Sequence, residues 1–200
     1  MPLYSEALHL KKQETEKKRD RRIALLYILF IYISLPVMPG LWGKFARYAG
    51  NYADYVAAFI LGLIGLFIMF YLLSKQKDIR NFIWLLILSS AYAIGLSRIK
   101  LPIERIHFIE YGLLGLLIFR ALRHNIRDKS LYLWSGMAVF GLGFLDEGIQ
   151  YILPNRVYET RDVIVNGIAG ILGLLLIGLC FQPKLERFQR RSKYMRYISM

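Results

Sequence analysis

Two carboxylates stand side by side in Asp146-Glu147-x-x-Gln150, with a carboxamide one helical turn beyond Asp146. Asp162 and Asn166 follow, again one turn apart. Upstream, Glu104, His107 and Tyr111 recur at helical spacing, with Glu110 close by. Side chains three or four apart share a helix face, so each group presents its polar atoms together. His107 with Glu104 or Glu110 has the composition of a general base, and Asp146 or Glu147 that of an acid. Glu110, Tyr111, Gln150, Asp162 and Asn166 have the donors and acceptors of a ligand site. Arg156, on the short stretch between the two acidic segments, offers a planar fork for a phosphate or carboxylate. The plainer reading is a polar interface. Asp146 or Glu147 then pairs with Arg156 or Arg161, and Asn166 bonds across helices. A lock does not need so many groups, and the clustering favours a cavity. No metal is expected: Glu104-x-x-His107 occurs once, and His9 and His124 lie outside the apolar runs that carry the other groups. The sequence specifies no cofactor.

These residues sit in or beside long apolar runs. Of 200 residues, 56% are hydrophobic, and the mean hydropathy is +0.38. A helix needs about 20 mostly apolar residues to cross a hydrocarbon core of about 30 Å. Six runs approach this: 23–39, 55–73, 82–97, 106–122, 131–153 and 163–181. They are too long for barrel strands and do not alternate in polarity. The expectation is an all-α polytopic membrane helix bundle of six transmembrane helices. A basic tail spans 1–22, the bundle 23–181, and a second basic tail 182–200. The first run follows a long charged segment and lacks a small-x-small cleavage signal, so a retained helix is expected rather than a signal peptide. Asn166, Gly170 and Gly173 form a stripe that lets a neighbouring helix approach closely, as Gly112 and Gly115 do on the fourth run. Trp42, Trp84 and Trp134 suit membrane interfaces. Cys180 has no intramolecular disulfide partner.

Charge sets the orientation. The net charge is +13, and twenty of the 27 Lys and Arg residues fall in the two tails and the second and fourth connections. The remaining seven lie on the other side, whereas the acids divide evenly. This Lys/Arg bias places both termini in the cytoplasm, and removing any one span would destroy it. Nucleic acid is excluded as a partner because the cations flank apolar runs, where they meet anionic lipid headgroups. With this orientation Asp146 stands about 22 Å up the fifth helix, at the outward side. Asp162, Asn166, Glu104 and His107 enter from that same side.

His107-Phe108 with Tyr111 and Leu114, then Asp146-Glu147-x-x-Gln150, Pro154-x-Arg156, Asp162 and Asn166-x-x-Gly-x-x-Gly, resemble the VanZ-like family of membrane proteins. The resemblance covers roughly residues 80–180, leaving the first two runs outside. Many members carry Asp-Lys where this chain has Ile103-Glu104, so it is a Glu-Arg-x-His-x-x-Glu-Tyr variant. The resemblance implies a multi-pass protein of the bacterial plasma membrane and cell envelope. It also implies a link to resistance against the glycopeptide teicoplanin.

Three functions are compatible with these residues. One is binding of an amphiphile, a membrane lipid or a lipid-linked cell-wall precursor, in an outward-facing polar cavity. Another is a membrane-embedded enzyme on such a substrate. The third is a non-catalytic envelope scaffold. A channel or transporter fits less well, because no broken helix or inverted repeat is visible.

Overall fold

A computed structural model describes residues 2–74, 78–99, 102–153 and 159–181, with side chains from Leu10 onward except at Pro102 and Ile103. Among the described residues the fold is all-α, with no strand. The helices are α1 (Pro2–Ala49), α2 (Ala53–Ser74), α3 (Ile79–Arg98), α4 (Pro102–Leu122), α5 (Ser130–Ile152) and α6 (Thr160–Leu176). A 3-10 turn, Gly50–Tyr52, joins α1 to α2, and a π turn, Ile177–Phe181, continues α6. Each of the six apolar runs coincides with one helix.

The boundaries differ most in α1. It runs unbroken through Pro36 and Pro39, where the sequence suggests a stop, and ends at Gly50, whose φ of 57° favours glycine. A proline removes one intrahelical bond, and helices in apolar surroundings continue past it where neighbouring groups accommodate the freed carbonyl. Asp78 caps α3, its carboxylate accepting from the Arg80 amide at 2.9 Å.

Among the described residues, three stretches are long and apolar enough to cross a membrane by length and composition: Leu10–Ser74, Ile79–Arg98 and Thr160–Phe181. Side chains facing outward stay apolar. Phe59, Phe67 and Phe70 of α2 and Leu133, Met137 and Phe144 of α5 are all exposed. An apolar exterior around a partly polar interior is what a lipid solvent selects.

The centre is built from α4, α5 and α6, with α1 against α4. Phe108, Tyr111, Leu114 and Ile118 of α4 pack with Val139 of α5, Ala169 of α6 and Ile31 of α1. The glycines bring α4 and α6 together. A methyl on Gly115 would stand 2.7 Å from the Gly170 carbonyl oxygen, and one on Gly173 would run into the Gly112 carbonyl. Backbone therefore touches backbone along this seam. Cys180 is buried beside Leu85 and Leu88 and acts as a small packing group.

Candidate functional site

At the end of the bundle where α5 finishes and α6 begins, three helices turn polar side chains toward one another. From α4 come His107, Glu110 and Tyr111, all buried. From α5 come Asp146, Glu147 and Gln150, also buried, Asp146 with no exposed surface. From α6 comes the buried Asn166, with Asp162 half-buried one turn nearer the helix start. Gly143 makes the meeting of these helices feasible. A methyl there would lie 3.4 Å from the Tyr111 ring and 3.5 Å from the Asn166 Cβ.

The cluster has internal order. Gln150 Nε2 donates to Glu147 Oε1 at 3.0 Å and, more weakly, to Asp146 Oδ2 at 3.5 Å. Glu147 Oε2 accepts from the backbone amide of Glu159 at 3.1 Å, tying α5 to the residue that precedes α6. Glu147 is thus engaged at both oxygens. Asp146 differs. Its Oδ1 is buried and has no hydrogen-bond partner among the described residues, although the His107 ring and the Tyr111 hydroxyl are near enough to act on its charge. A buried carboxylate oxygen without a donor is rare and costly.

His107 Nδ1 lies 3.0 Å from Glu110 Oε2, an ion-pair distance without hydrogen-bond alignment. Of the two acids the sequence offers His107, Glu110 is therefore the one at hand. Glu104 instead reaches α6, 3.4 Å from Arg161. Arg156 and Pro154 lie outside the described residues. Among the described residues, no group of three or more His, Cys, Asp or Glu side chains converges to hold a metal ion.

Sequence reasoning missed four residues, three of them around the cluster. Tyr27 and Tyr32 of α1 donate to the carbonyls of Glu110 (3.3 Å) and Leu142 (3.1 Å). Tyr111 donates to the same Leu142 carbonyl at 3.2 Å, and Tyr92 of α3 to that of Phe108 at 2.7 Å. The fourth, Asp20, lies at the opposite end, buried against α4. The tyrosines did leave a signal. A phenol in the middle of an apolar run, away from the interface, must find a partner inside the protein.

The VanZ/LLP1 family model matches residues 23–181. The chain belongs to this family. The match takes in α1 and α2 as well as the stretch carrying the motif, in keeping with the contacts from Tyr27 and Tyr32. No curated protein and no solved structure matches the chain. VanZ/LLP1 membership, together with the apolar helices, points to a membrane protein linked to the envelope or to antibiotic resistance.

Proposed function

We propose that this VanZ/LLP1 protein is a multi-pass protein of the bacterial plasma membrane that binds an amphiphile, a lipid or a lipid-linked cell-wall precursor. The site is the polar cluster at the α5–α6 end, and that end faces outward. All six helices span the bilayer in this reading, with both termini cytoplasmic. Support for the orientation comes from how the basic segments assemble. Asp20, beside the basic N-terminal stretch, contacts Arg120, Arg123 and His124 at the α4–α5 connection. Two of the basic segments, the N-terminal stretch and the α4–α5 connection, thus meet at one end, which supports the Lys/Arg bias.

The observation that carries the binding reading is the buried Oδ1 of Asp146, which has no hydrogen-bond partner among the described residues. A hydroxyl or amine of the ligand head would supply the missing donor. In this reading Tyr111, Gln150, Asn166, Asp162 and Glu110 make the further contacts to the head, and Arg156 holds its anionic part. Asp146 shows no exposed surface, so the ligand reaches it when the helix ends part.

A second reading rests on the pair His107 and Glu110. An imidazole beside a carboxylate is an oriented general base, with Asp146 as its acid counterpart and Glu104 and Glu147 flanking them, on the same lipid-linked ligand. Lipid and precursor profiles separate the two. A deletion strain, a complemented strain and a strain with Asp146→Asn are compared. A changed glycopeptide response with unchanged product ratios supports binding, and a changed product ratio supports the enzyme. If Asp146→Asn behaves as the parent in both measurements, the cluster is a structural lock and the protein a scaffold.

A further inference from the structure

Given that Asp146 meets a ligand head, as proposed above, we infer that this head carries a primary ammonium and that the ligand is an aminophospholipid of the ethanolamine type. The interior of the cluster is acidic. Glu110, Asp146 and Glu147 are buried there, and the buried cationic group among the described residues at this end is His107. His107 stands 3.0 Å from Glu110, so its charge serves that carboxylate first. Glu110 and Glu147 are both near enough to act on the charge of Asp146, and each repels it. Arg161 is half exposed and lies 3.4 Å from Glu104.

The neutral donors beside Asp146 are spent elsewhere. The hydroxyls of Tyr32 and Tyr111 both go to the Leu142 carbonyl, one turn before Asp146, at 3.1 and 3.2 Å. The Gln150 amide lies closer to Glu147 than to Asp146. Asp146 Oδ1 is left buried, with no hydrogen-bond partner among the described residues. A ligand hydroxyl would bring a donor but leave the charge uncompensated. A primary ammonium brings three donors and the opposite charge, and a buried carboxylate is stable only when both needs are met. Such an amine is protonated at neutral pH. The apolar part of the ligand also has a place. Phe144, Leu145 and Ile152 flank the two acids along α5 and are exposed, so acyl chains joined to a head at Asp146 meet apolar surface. An ethanolamine head carries its phosphate beside the amine, and Arg156 takes that phosphate.

Methylating the amine stepwise isolates this contact. The full chain in detergent is titrated with lipids of matched acyl chains, and the bound fraction is read by native mass spectrometry. Phosphatidylethanolamine should bind at a several-fold lower concentration than phosphatidylcholine, with the monomethyl and dimethyl amines between them. Monoglucosyl diacylglycerol, uncharged and rich in hydroxyls, should bind no better than phosphatidylcholine. Asp146→Asn should erase the preference for phosphatidylethanolamine. Should that variant fail to fold, the methylation series in the parent decides alone. Equal binding of the ethanolamine and choline lipids by the parent overturns the inference, as does a preference that survives Asp146→Asn. A glucosyl lipid that binds best, and loses its advantage in Asp146→Asn, overturns the ammonium but keeps the binding reading. If Asp146→Asn alters the binding of no lipid, both fail. Soluble phosphoethanolamine should not displace the lipid at equal concentration, and displacement overturns the phospholipid as the source of the amine.

Discussion

Asp20 Oδ1 accepts a hydrogen bond from Arg120 at 2.9 Å, joining the first half of α1 to the end of α4 across 100 positions of sequence. None of the Asp20 side chain is exposed. Its other oxygen lies 3.1 Å from His124 Nε2 and 3.7 Å from Arg123. A buried charge is tolerated only when it is paired in this way. Asp20→Asn therefore removes the centre of the network and leaves several cations facing a neutral amide. The two arginines are nearly half exposed, so water offsets part of the loss. We expect a destabilisation of about 1.5–3 kcal/mol, read as a lower unfolding temperature in detergent.

The same network gives a pH dependence. Burial pushes the Asp20 carboxyl up, but the His124 contact and the charges of Arg120, Arg123 and Arg19 outweigh it and hold the group below its ordinary 3.8. A carboxyl held lower in the folded state binds fewer protons there than in the unfolded chain. Its contribution is complete above that ordinary value and disappears as the pH falls through the lower folded one. The unfolding temperature of the parent should thus drop more steeply below about pH 4 than that of Asp20→Asn. Parallel acid profiles for the two chains would show that Asp20 is not the group responsible.

Six runs of about the right length were enough to locate six helices, and the glycine spacing was enough to mark the two faces that meet in the α4–α6 seam. Both signals are local, because a period of 3.6 and a small residue on every turn are written along one segment. The polar cluster was legible for the same reason. What the sequence hid was pairing between distant segments. Asp20 sits among seven cations of its own tail, and nothing along the chain marks Arg120 as its partner. Glu104 shares a helix face with His107, which suggests a dyad, yet it turns to Arg161 of another helix while Glu110 approaches the imidazole. The extension of α1 beyond Pro39 was hidden by a rule that holds better in water than in an apolar medium.

The glycine seam predicts a contrast. Gly115→Ala places a methyl against backbone that has no side chain to move aside, so α4 and α6 must separate. Overpacking of this kind costs about 1–3 kcal/mol. Gly62→Ala meets nothing within 4 Å, and alanine is the better helix former, so its unfolding temperature should stay level or rise. Equal losses in both variants would mean that α4 and α6 do not rely on backbone contact.

Orientation is open to a direct test. Asn51 and Asn125 are both exposed and lie at opposite ends of the bundle in the proposed topology. Single cysteines there, in a Cys180→Ala chain, should separate under an impermeant thiol reagent. Asn51→Cys should label in intact cells and Asn125→Cys only after lysis. Labelling of Asn125→Cys from outside would reverse the orientation.

Asp146 and Glu147 are neighbours in sequence and almost equally buried, yet their hydrogen bonds differ. Glu147 uses both oxygens, one toward the Gln150 amide and one toward the Glu159 backbone. Glu147→Gln keeps the shape but turns an amino group toward one of those donors. A buried donor facing a donor costs about 1–3 kcal/mol, so abundance and unfolding temperature should fall together. Asp146 has one long contact at 3.5 Å and an oxygen with no hydrogen-bond partner among the described residues. Asp146→Asn relieves the desolvation of a buried charge, which offsets the loss of its attraction to His107 and Tyr111. Its unfolding temperature should stay near that of the parent, whereas the glycopeptide response or lipid profile of the cell should change. A contrast of this form separates holding the helices together from meeting a ligand, within one turn of α5. If Asp146→Asn loses as much stability as Glu147→Gln and the cell responds to both alike, the carboxylates act as a single lock and the ligand reading of Asp146 fails.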